Sequence, residues 1–118
     1  MKFLVVDDDA EIRELLKVFL SSDGNDVVLC DCGKNVISVV REQVFSLVLL
    51  DINLPDINGI DLLKQIRKVD PELPVIMITG FKDAEKVIAA FREGACDCIL
   101  KPLDFEYLKT SVFNRARK

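Results

Sequence analysis

Short apolar runs alternate with longer stretches of helical periodicity along the whole chain. The runs have the length and composition of buried strands, and we expect strands at 2–6, 26–30, 45–50, 75–78 and 98–100. Apolar residues three and four positions apart predict helices at about 10–22, 34–42, 60–68 and 83–93, and a last helix from about 104. Buried strands that alternate with amphipathic helices predict an α/β fold of (βα)5 type, a doubly wound five-stranded parallel sheet with helices on both faces.

Turn-forming and capping residues fall between these predicted elements. Asp9 is placed to cap the first helix, and Gly24 is placed to end it. Pro55 and the Asn58-Gly59 pair mark a loop after the third strand. The second helix is rich in β-branched residues, so we expect packing rather than intrinsic propensity to stabilise it.

The length and the charge narrow the class of protein. A chain of 118 residues is enough for one domain, and we expect that domain to occupy 1–118. The net charge of −4 argues against nucleic-acid binding by this domain itself. No apolar run approaches the roughly 20 residues of a membrane-spanning helix, and the apolar run at 3–6 is too short for a signal peptide. We therefore expect a cytoplasmic protein without a membrane segment.

The chain contains four cysteines and no histidine. Cys30 with Cys32 and Cys96 with Cys98 form two C-x-C pairs, for which a four-thiolate zinc site is one interpretation. C-x-C is not the usual spacing of such sites, and free, partly buried thiols in a reducing cytosol are the favoured interpretation. Without histidine, Ser-His-Asp and Cys-His catalysis are excluded within the chain, and any histidine chemistry must come from a partner.

Polar side chains follow four of the five predicted strands. They are Asp7 and Asp8 after strand one, Asp51 after strand three, Thr79 after strand four and Lys101 after strand five. Because the carboxyl ends of parallel strands lie at one edge of a sheet, we expect these side chains to converge. A single acid in such a position is usually a helix cap or a loop residue, but the complete set is much harder to attribute to chance.

Three converging carboxylates need a compensating charge. At roughly 4 Å each pair repels by on the order of 4 kcal/mol with an effective dielectric constant near 20. A divalent cation relieves this repulsion, and hard oxygen ligands favour Mg²⁺. The metal attracts a phosphoryl donor, and a carboxylate can act as the nucleophile that forms an acyl phosphate. We therefore predict that Asp51 is a phosphate acceptor. Lys101 and Thr79 can pair with phosphoryl oxygens, and Asn53 can offer its backbone carbonyl to the metal.

The chain resembles the receiver domain of bacterial two-component response regulators over essentially its whole length. The resemblance is carried by VVDDD, LVLLDINLPDINGIDLL, PVIMITG and REGACDCILKP, in that order. It implies a flavodoxin-like sheet with strand order 2-1-3-4-5. It also implies a phosphoacceptor signalling domain rather than an enzyme with an external substrate, although one able to catalyse its own phosphoryl transfer and dephosphorylation.

The same resemblance assigns partners and metal ligands. It implies that Asp51 receives a phosphoryl group from a sensor histidine kinase, from a phosphotransfer protein or from a small donor such as acetyl phosphate. It assigns Mg²⁺ to Asp8, Asp51 and the carbonyl of Asn53, with Asp7 acting through water. The phosphorylated state would then alter interactions with an effector domain or with a second copy of the chain.

Two positions depart from the pattern of this family. The resemblance gives Thr79 and Lys101 the signalling and phosphate-pairing roles, but Cys98 stands where an aromatic residue commonly swings inward as the threonine moves. Since Cys98 is outside the acid site, we expect the phosphorylation chemistry to survive. We hypothesise that Thr79 and the following loop, with Phe81, transmit the change without the aromatic residue. Asn58 stands where the family often has an acid or a serine.

Three other functions compete with this interpretation. A haloacid-dehalogenase-type phosphatase needs a second acid two residues after its nucleophile, where this chain has Asn53, which cannot do acid–base work. A receiver that only binds and is never phosphorylated is disfavoured because all five key residues are present. A nucleotide- or flavin-binding domain of the same fold would carry a glycine-rich phosphate loop after strand one, which this sequence lacks.

Overall fold

The computed structural model describes residues 1–117, apart from the side chains of Phe81, Lys82 and Ala84. Strands and helices alternate along the chain, as the hydrophobic pattern predicts. The elements are β1 Lys2–Val6, α1 Ala10–Ser21, β2 Asp26–Cys30, α2 Val36–Glu42, β3 Leu47–Asp51, α3 Gly59–Val69, β4 Val75–Thr79, a 3₁₀ helix Phe81–Lys86, α4 Val87–Arg92, β5 Asp97–Leu100 and α5 Phe105–Arg115. None of the helices in this described part is long and apolar enough to cross a membrane.

The five strands form one parallel sheet in the order β2-β1-β3-β4-β5, so the predicted fold class and strand order are confirmed. The register brings the strand ends level with one another. Asp51 at the end of β3 lies opposite Ile78 of β4, and Thr79 at the end of β4 lies opposite Leu100 of β5. The carboxyl ends of β1, β3, β4 and β5 therefore form one edge, from which the polar residues project.

The sheet separates two hydrophobic clusters, and alternate residues of each central strand enter opposite ones. With α2, α3 and α4, one face buries Leu4, Val6, Val36, Val40, Val48, Leu50, Leu62, Leu63, Ile66 and Ala90, among others. With α1 and α5, the other buries Phe3, Val5, Leu16, Leu20, Leu47, Leu49, Leu108 and Val112, among others. Each fully buried aliphatic side chain stabilises the fold by about 1.5–3 kcal/mol, and coverage of both faces explains the unbroken apolar runs.

Side-chain caps fix the start of the two helices that cover the second face. The Asp9 carboxylate accepts hydrogen bonds from the backbone N–H of Glu11 at 2.9 Å and from that of Ile12 at 3.4 Å. Asp104 caps α5 in the same way, through Glu106 and Tyr107. Such a cap is worth about 1 kcal/mol. The predicted role of Asp9 is confirmed, and the cap fixes the backbone between Asp7, Asp8 and the start of α1.

Two predicted helix boundaries are wrong. The second helix begins at Val36 rather than at Lys34. The predicted α-helix at 83–93 is a 3₁₀ helix up to Lys86, and α4 covers only Val87–Arg92. The first turn of this segment is closed by a hydrogen bond from the Asp83 N–H to the carbonyl of Gly80, three residues earlier, which is the 3₁₀ pattern.

Candidate acidic site

Three carboxylates meet at the carboxyl edge of the sheet. Asp51 is the last residue of β3, and Asp7 and Asp8 directly follow β1. One oxygen from each residue lies within 4.8 Å of the others, with Asp7 and Asp51 buried and Asp8 exposed. The structure thus brings together the three acids that the sequence placed at one edge.

Lys101 supplies positive charge to this cluster. Its ammonium Nζ lies 3.2 Å from Asp7 Oδ2 and 3.4 Å from Asp51 Oδ2. Its backbone N–H donates to the Thr79 carbonyl at 2.9 Å, which holds the residue beside the end of β4. Burial alone would lower the pKa of Lys101, but Asp7 and Asp51 outweigh it and raise that pKa. Lys101 therefore remains a cation between two carboxylates.

The environment of Asp51 disfavours its charged form. Burial first, and the negative charge of Asp7 second, raise the pKa of Asp51 to about 6 from its ordinary value of 3.8. The N–H of Asn53, which donates to Asp51 Oδ1 at 3.1 Å, and the charge of Lys101 act in the opposite direction. At neutral pH Asp51 is thus mostly ionised, but it is ionised at an energetic cost that a bound cation would relieve.

When a chelator keeps the protein free of metal, Asp51→Asn is expected to raise the free energy of unfolding at pH 7–8 by about 1–3 kcal/mol. The folded-state pKa exceeds the unfolded one, so the stability that the protonated acid contributes is full below about pH 4 and is lost as the pH rises through about 6. Asparagine keeps the neutral form at every pH. Urea denaturation between pH 4 and 8 measures the difference, which should vanish at the acid end.

The control for this comparison is Asp61→Asn, which changes an exposed acid of α3 whose ion pair, among the side chains that the structure describes, is with Lys64. Its effect should stay within about 0.5 kcal/mol at all pH values. If Asp51→Asn were no more stable than the wild type at pH 8, the repulsion inferred from burial and from Asp7 would be wrong.

Thr79 and Asn53 occupy the rim of the site. Thr79 is fully buried at the end of β4, and its hydroxyl donates to the Gly80 carbonyl at 3.2 Å. Asn53 is exposed, and its backbone N–H contacts Asp51 while its side-chain amide donates to Asp83. Asn53 therefore contacts Asp51 from the loop that follows β3, and Thr79 ends β4, one residue after Ile78, which lies opposite Asp51.

The loop after β3 is closed tightly against the strand that carries Asp51. Asn58 caps α3, because its side-chain oxygen accepts the N–H of Ile60 at 2.8 Å. The Gly59 N–H donates to the Ile52 carbonyl at 2.6 Å, and a Cβ on Gly59 would collide with the backbone of Asp51 and Ile52. The departure at Asn58 thus has a structural role, which is to start α3 at this loop.

Asp83 contacts the rim of the site and was not singled out by the sequence. It is buried, accepts from the Asn53 amide, and lies 3.5 Å from Lys86 Nζ. In the sequence it is an acid at the start of a predicted helix, which is a common position for a cap. Only the pairing of β3 with β4 shows that the 3₁₀ helix carrying Asp83 meets the loop carrying Asn53.

The donor set fits a hard divalent cation. Within residues 1–117, the buried Oδ2 atom of Asp7 has an ion-pair contact with Lys101 but accepts no hydrogen bond of good geometry. Carboxylate oxygens are the ligands that Mg²⁺ prefers, and it needs only one or two of them because it retains water. The acid cluster and its unsatisfied oxygen are consistent with such an ion.

The cysteines do not form a common metal site. Cys30 and Cys32 lie at β2 and Cys96 and Cys98 at β5, on opposite edges of the sheet, and all four are free thiols. Burial raises the pKa of Cys30 and of Cys96, and that of Cys98 to about 11. Thiols with raised pKa values are poor nucleophiles and poor metal ligands. The preferred interpretation of free, partly buried thiols is confirmed.

Comparison with known proteins gives one consistent family. The sequence profile of the response regulator receiver domain matches residues 3–113. The transcriptional regulatory protein ZraR of Escherichia coli K12 is 38% identical over 109 residues, which are 92% of this chain and 25% of ZraR. The DNA-binding response regulator MtrA of Mycobacterium leprae is 38% identical over 117 residues, which are 99% of this chain and 52% of MtrA. The chain thus spans a quarter to about half of the length of these curated relatives.

Solved structures agree with this result. A response regulator receiver domain protein from Clostridium thermocellum superimposes with a TM-score of 0.90 at 31% identity, covering 97% of this chain and 92% of that one. The receiver domain of NtrX from Brucella abortus gives a TM-score of 0.90 at 35% identity, with 96% of both chains covered.

Proposed function

Because the chain belongs to the family of response regulator receiver domains, we propose that it is the phosphoacceptor of a two-component phosphorelay and that Asp51 receives the phosphoryl group. In this proposal the receiver domain occupies residues 1–118. The observation that carries it is the buried carboxylate of Asp51, held next to Asp7 and Asp8 and within reach of the Lys101 ammonium. The Asp51 carboxylate can attack phosphorus, the Lys101 ammonium compensates its charge, and the neighbouring acids can hold a metal ion.

The proposed transfer forms one bond and breaks one. An oxygen of the ionised Asp51 attacks phosphorus, and the bond from phosphorus to the imidazole nitrogen of a phosphohistidine, or to the acetate oxygen of acetyl phosphate, breaks. The leaving group keeps that bonding pair, and Asp51 becomes an acyl phosphate. Lys101 then pairs with a phosphoryl oxygen, and the Thr79 hydroxyl donates to another.

Mg²⁺ is the proposed cofactor. Asp8 and Asp51 with the backbone carbonyl of Asn53 would hold it, and Asp7 would act through a bound water. When bound, it neutralises charge on the transferring phosphoryl oxygens. The same site would catalyse the domain's own phosphoryl transfer and its later dephosphorylation, without an external substrate to process.

The proposed partners are a protein that donates the phosphoryl group and a protein or domain that responds to it. A sensor histidine kinase or a phosphotransfer protein in the cytoplasm supplies the histidine that this chain lacks. An effector domain or a second copy of the chain responds to the phosphorylated state. ZraR and MtrA, which are described as a transcriptional regulatory and a DNA-binding protein, are both longer than their match to this chain. This supports an effector outside the receiver domain. The receiver domain itself would not bind nucleic acid.

Incubation with Mg²⁺ and acetyl phosphate, followed by intact mass measurement, tests the proposal. We expect the wild type to gain the mass of one phosphoryl group and Asp51→Asn to gain none. Asp61→Asn, which removes an exposed acid of α3, should be modified like the wild type. Chelator should prevent the adduct in every variant. If the wild type gains no mass, the domain is a binding module that is not phosphorylated.

A further inference from the structure

We propose that Asp83 is a positioning residue that ties Asn53 of the acidic site to the 3₁₀ helix Phe81–Lys86 and so carries the phosphorylation state of Asp51 to α4. This inference rests on the proposed function of Asp51. The contact that carries it is the hydrogen bond from the Asn53 side-chain amide to Asp83 Oδ2. It joins the loop after β3 to the segment after β4, two elements 30 residues apart in the chain.

A second link runs through the backbone of Gly80. Its carbonyl oxygen accepts the Thr79 hydroxyl at 3.2 Å and also the N–H of Asp83 at 3.0 Å. Asp83 is therefore attached to the acidic site twice, through its side chain to Asn53 and through its backbone to Gly80. At the site end, Asn53 donates its N–H to Asp51 itself, and the Gly80 carbonyl accepts the hydroxyl of Thr79.

The other end of the link is the start of α4. Asp83 is buried, and its second carboxylate oxygen, Oδ1, lies 3.5 Å from Lys86 Nζ. Lys86 is the last residue of the 3₁₀ helix, and α4 begins at the next residue, Val87. The two oxygens of one buried carboxylate thus contact the acidic site on one side and the entrance of α4 on the other.

Phosphorylation of Asp51 changes the surroundings of Asn53 and Gly80, the two residues to which Asp83 is attached. Phosphorylation turns one carboxylate oxygen of Asp51 into the bridging oxygen of a mixed anhydride and so removes the negative charge of the carboxylate, to which the Asn53 N–H donates at Oδ1. A phosphoryl oxygen also competes with Gly80 for the Thr79 hydroxyl. A buried carboxylate that loses one partner is costly to leave unpaired, so Asp83 and the 3₁₀ helix are expected to move with Asn53 and Gly80.

This link accounts for signal transmission without an aromatic residue on β5. Cys98 occupies that position, opposite Met77 of β4, and has no ring to move between two pockets. The sequence suggested Phe81 as a substitute, but its side chain lies outside the described part of the structure. Asp83 provides a described contact in the same segment.

The test compares Asp83→Ala with Asp83→Asn in the full chain. Asparagine can still accept from the Asn53 amide but loses the ion pair with Lys86, whereas alanine loses both contacts. The readout is the set of backbone chemical-shift changes at 87–92 when Mg²⁺ and beryllofluoride are added, together with the acetyl phosphate adduct by mass. We expect Asp83→Ala to form the adduct but to lose more than half of the shift changes, and Asp83→Asn, which keeps the contact with Asn53, to retain a clearly larger share of them than Asp83→Ala. Glu85→Ala, an exposed acid in the same 3₁₀ helix, should respond like the wild type.

The outcomes separate this inference from the proposed function. A wild type with neither adduct nor beryllofluoride response would overturn both. An adduct in every variant, with wild-type shift changes in Asp83→Ala, would overturn the link alone, as would equal losses in Asp83→Ala and Asp83→Asn. If Asp83→Ala does not fold, Asn53→Ala removes the same contact from its other end and should show the same loss of shift changes at 87–92. Retention of those changes in Asn53→Ala would overturn the link.

Discussion

Replacing Gly59 by alanine is expected to lower the free energy of unfolding by about 3 kcal/mol, the upper end for overpacking in a closed site. The new Cβ would meet the Asp51 carbonyl oxygen, and would lie 2.6 Å from the Cα of Ile52 and 3.0 Å from the carbonyl carbon of Asp51. These are backbone atoms, so no side-chain rotation can relieve the contact. The chain must instead separate α3 from the end of β3, which breaks the hydrogen bond from the Gly59 N–H to the Ile52 carbonyl.

Gly24→Ala is the matched control for this prediction. Gly24 has a positive φ of 80° but open space around its added Cβ, so its substitution costs only backbone strain, on the order of 1 kcal/mol. Urea denaturation of both variants measures the two costs. The acetyl phosphate adduct should also form more slowly in Gly59→Ala, because the strand end that carries Asp51 is displaced. A cost no larger than that of Gly24→Ala would contradict the steric account.

Much of the fold could be predicted because the hydrophobic pattern is unambiguous. The strands of a doubly covered parallel sheet must be apolar throughout, and β1 and β2 were predicted with their observed bounds. The chain after β4 was less predictable. The sequence at 83–93 has helical periodicity throughout, yet its first part is a 3₁₀ helix whose first turn is closed by a hydrogen bond from Asp83 to Gly80. Apolar spacing does not distinguish a short 3₁₀ helix from the first turn of an α-helix.

The acidic site was predictable for a different reason. Asp7, Asp51 and Lys101 each end or follow a strand, so the sheet alone brings them together, and the structure shows their contacts. Asp83 follows no strand directly, and its contact with Asn53 joins the 3₁₀ helix after β4 to the loop after β3. A contact between such segments has no sequence period, so this part of the site could be found only from coordinates.

Lys101→Met is expected to reduce the rate of phosphorylation of Asp51 by roughly 100-fold, the usual loss when one charge-stabilising donor is removed from a transfer site. Lys101 Nζ contacts both Asp7 and Asp51, at 3.2 and 3.4 Å. Methionine preserves much of the length and the apolar stem of the side chain but leaves the transferring phosphoryl oxygens without this cation. The rate is followed by intact mass at a fixed acetyl phosphate concentration.

The same substitution should destabilise the metal-free protein, since it leaves two close, buried carboxylates without their shared counter-charge. In the metal-free protein, Lys101→Met should therefore have a lower free energy of unfolding than the wild type. This difference should be smaller with Mg²⁺, because the metal compensates part of the carboxylate charge and binds only the folded state. Lys64→Met, which breaks an exposed pair with Asp61 on α3, should change neither quantity. If Lys101→Met were phosphorylated at the wild-type rate, Lys101 would only compensate the charge of Asp7 and Asp51 before phosphorylation and would not act on the phosphoryl group.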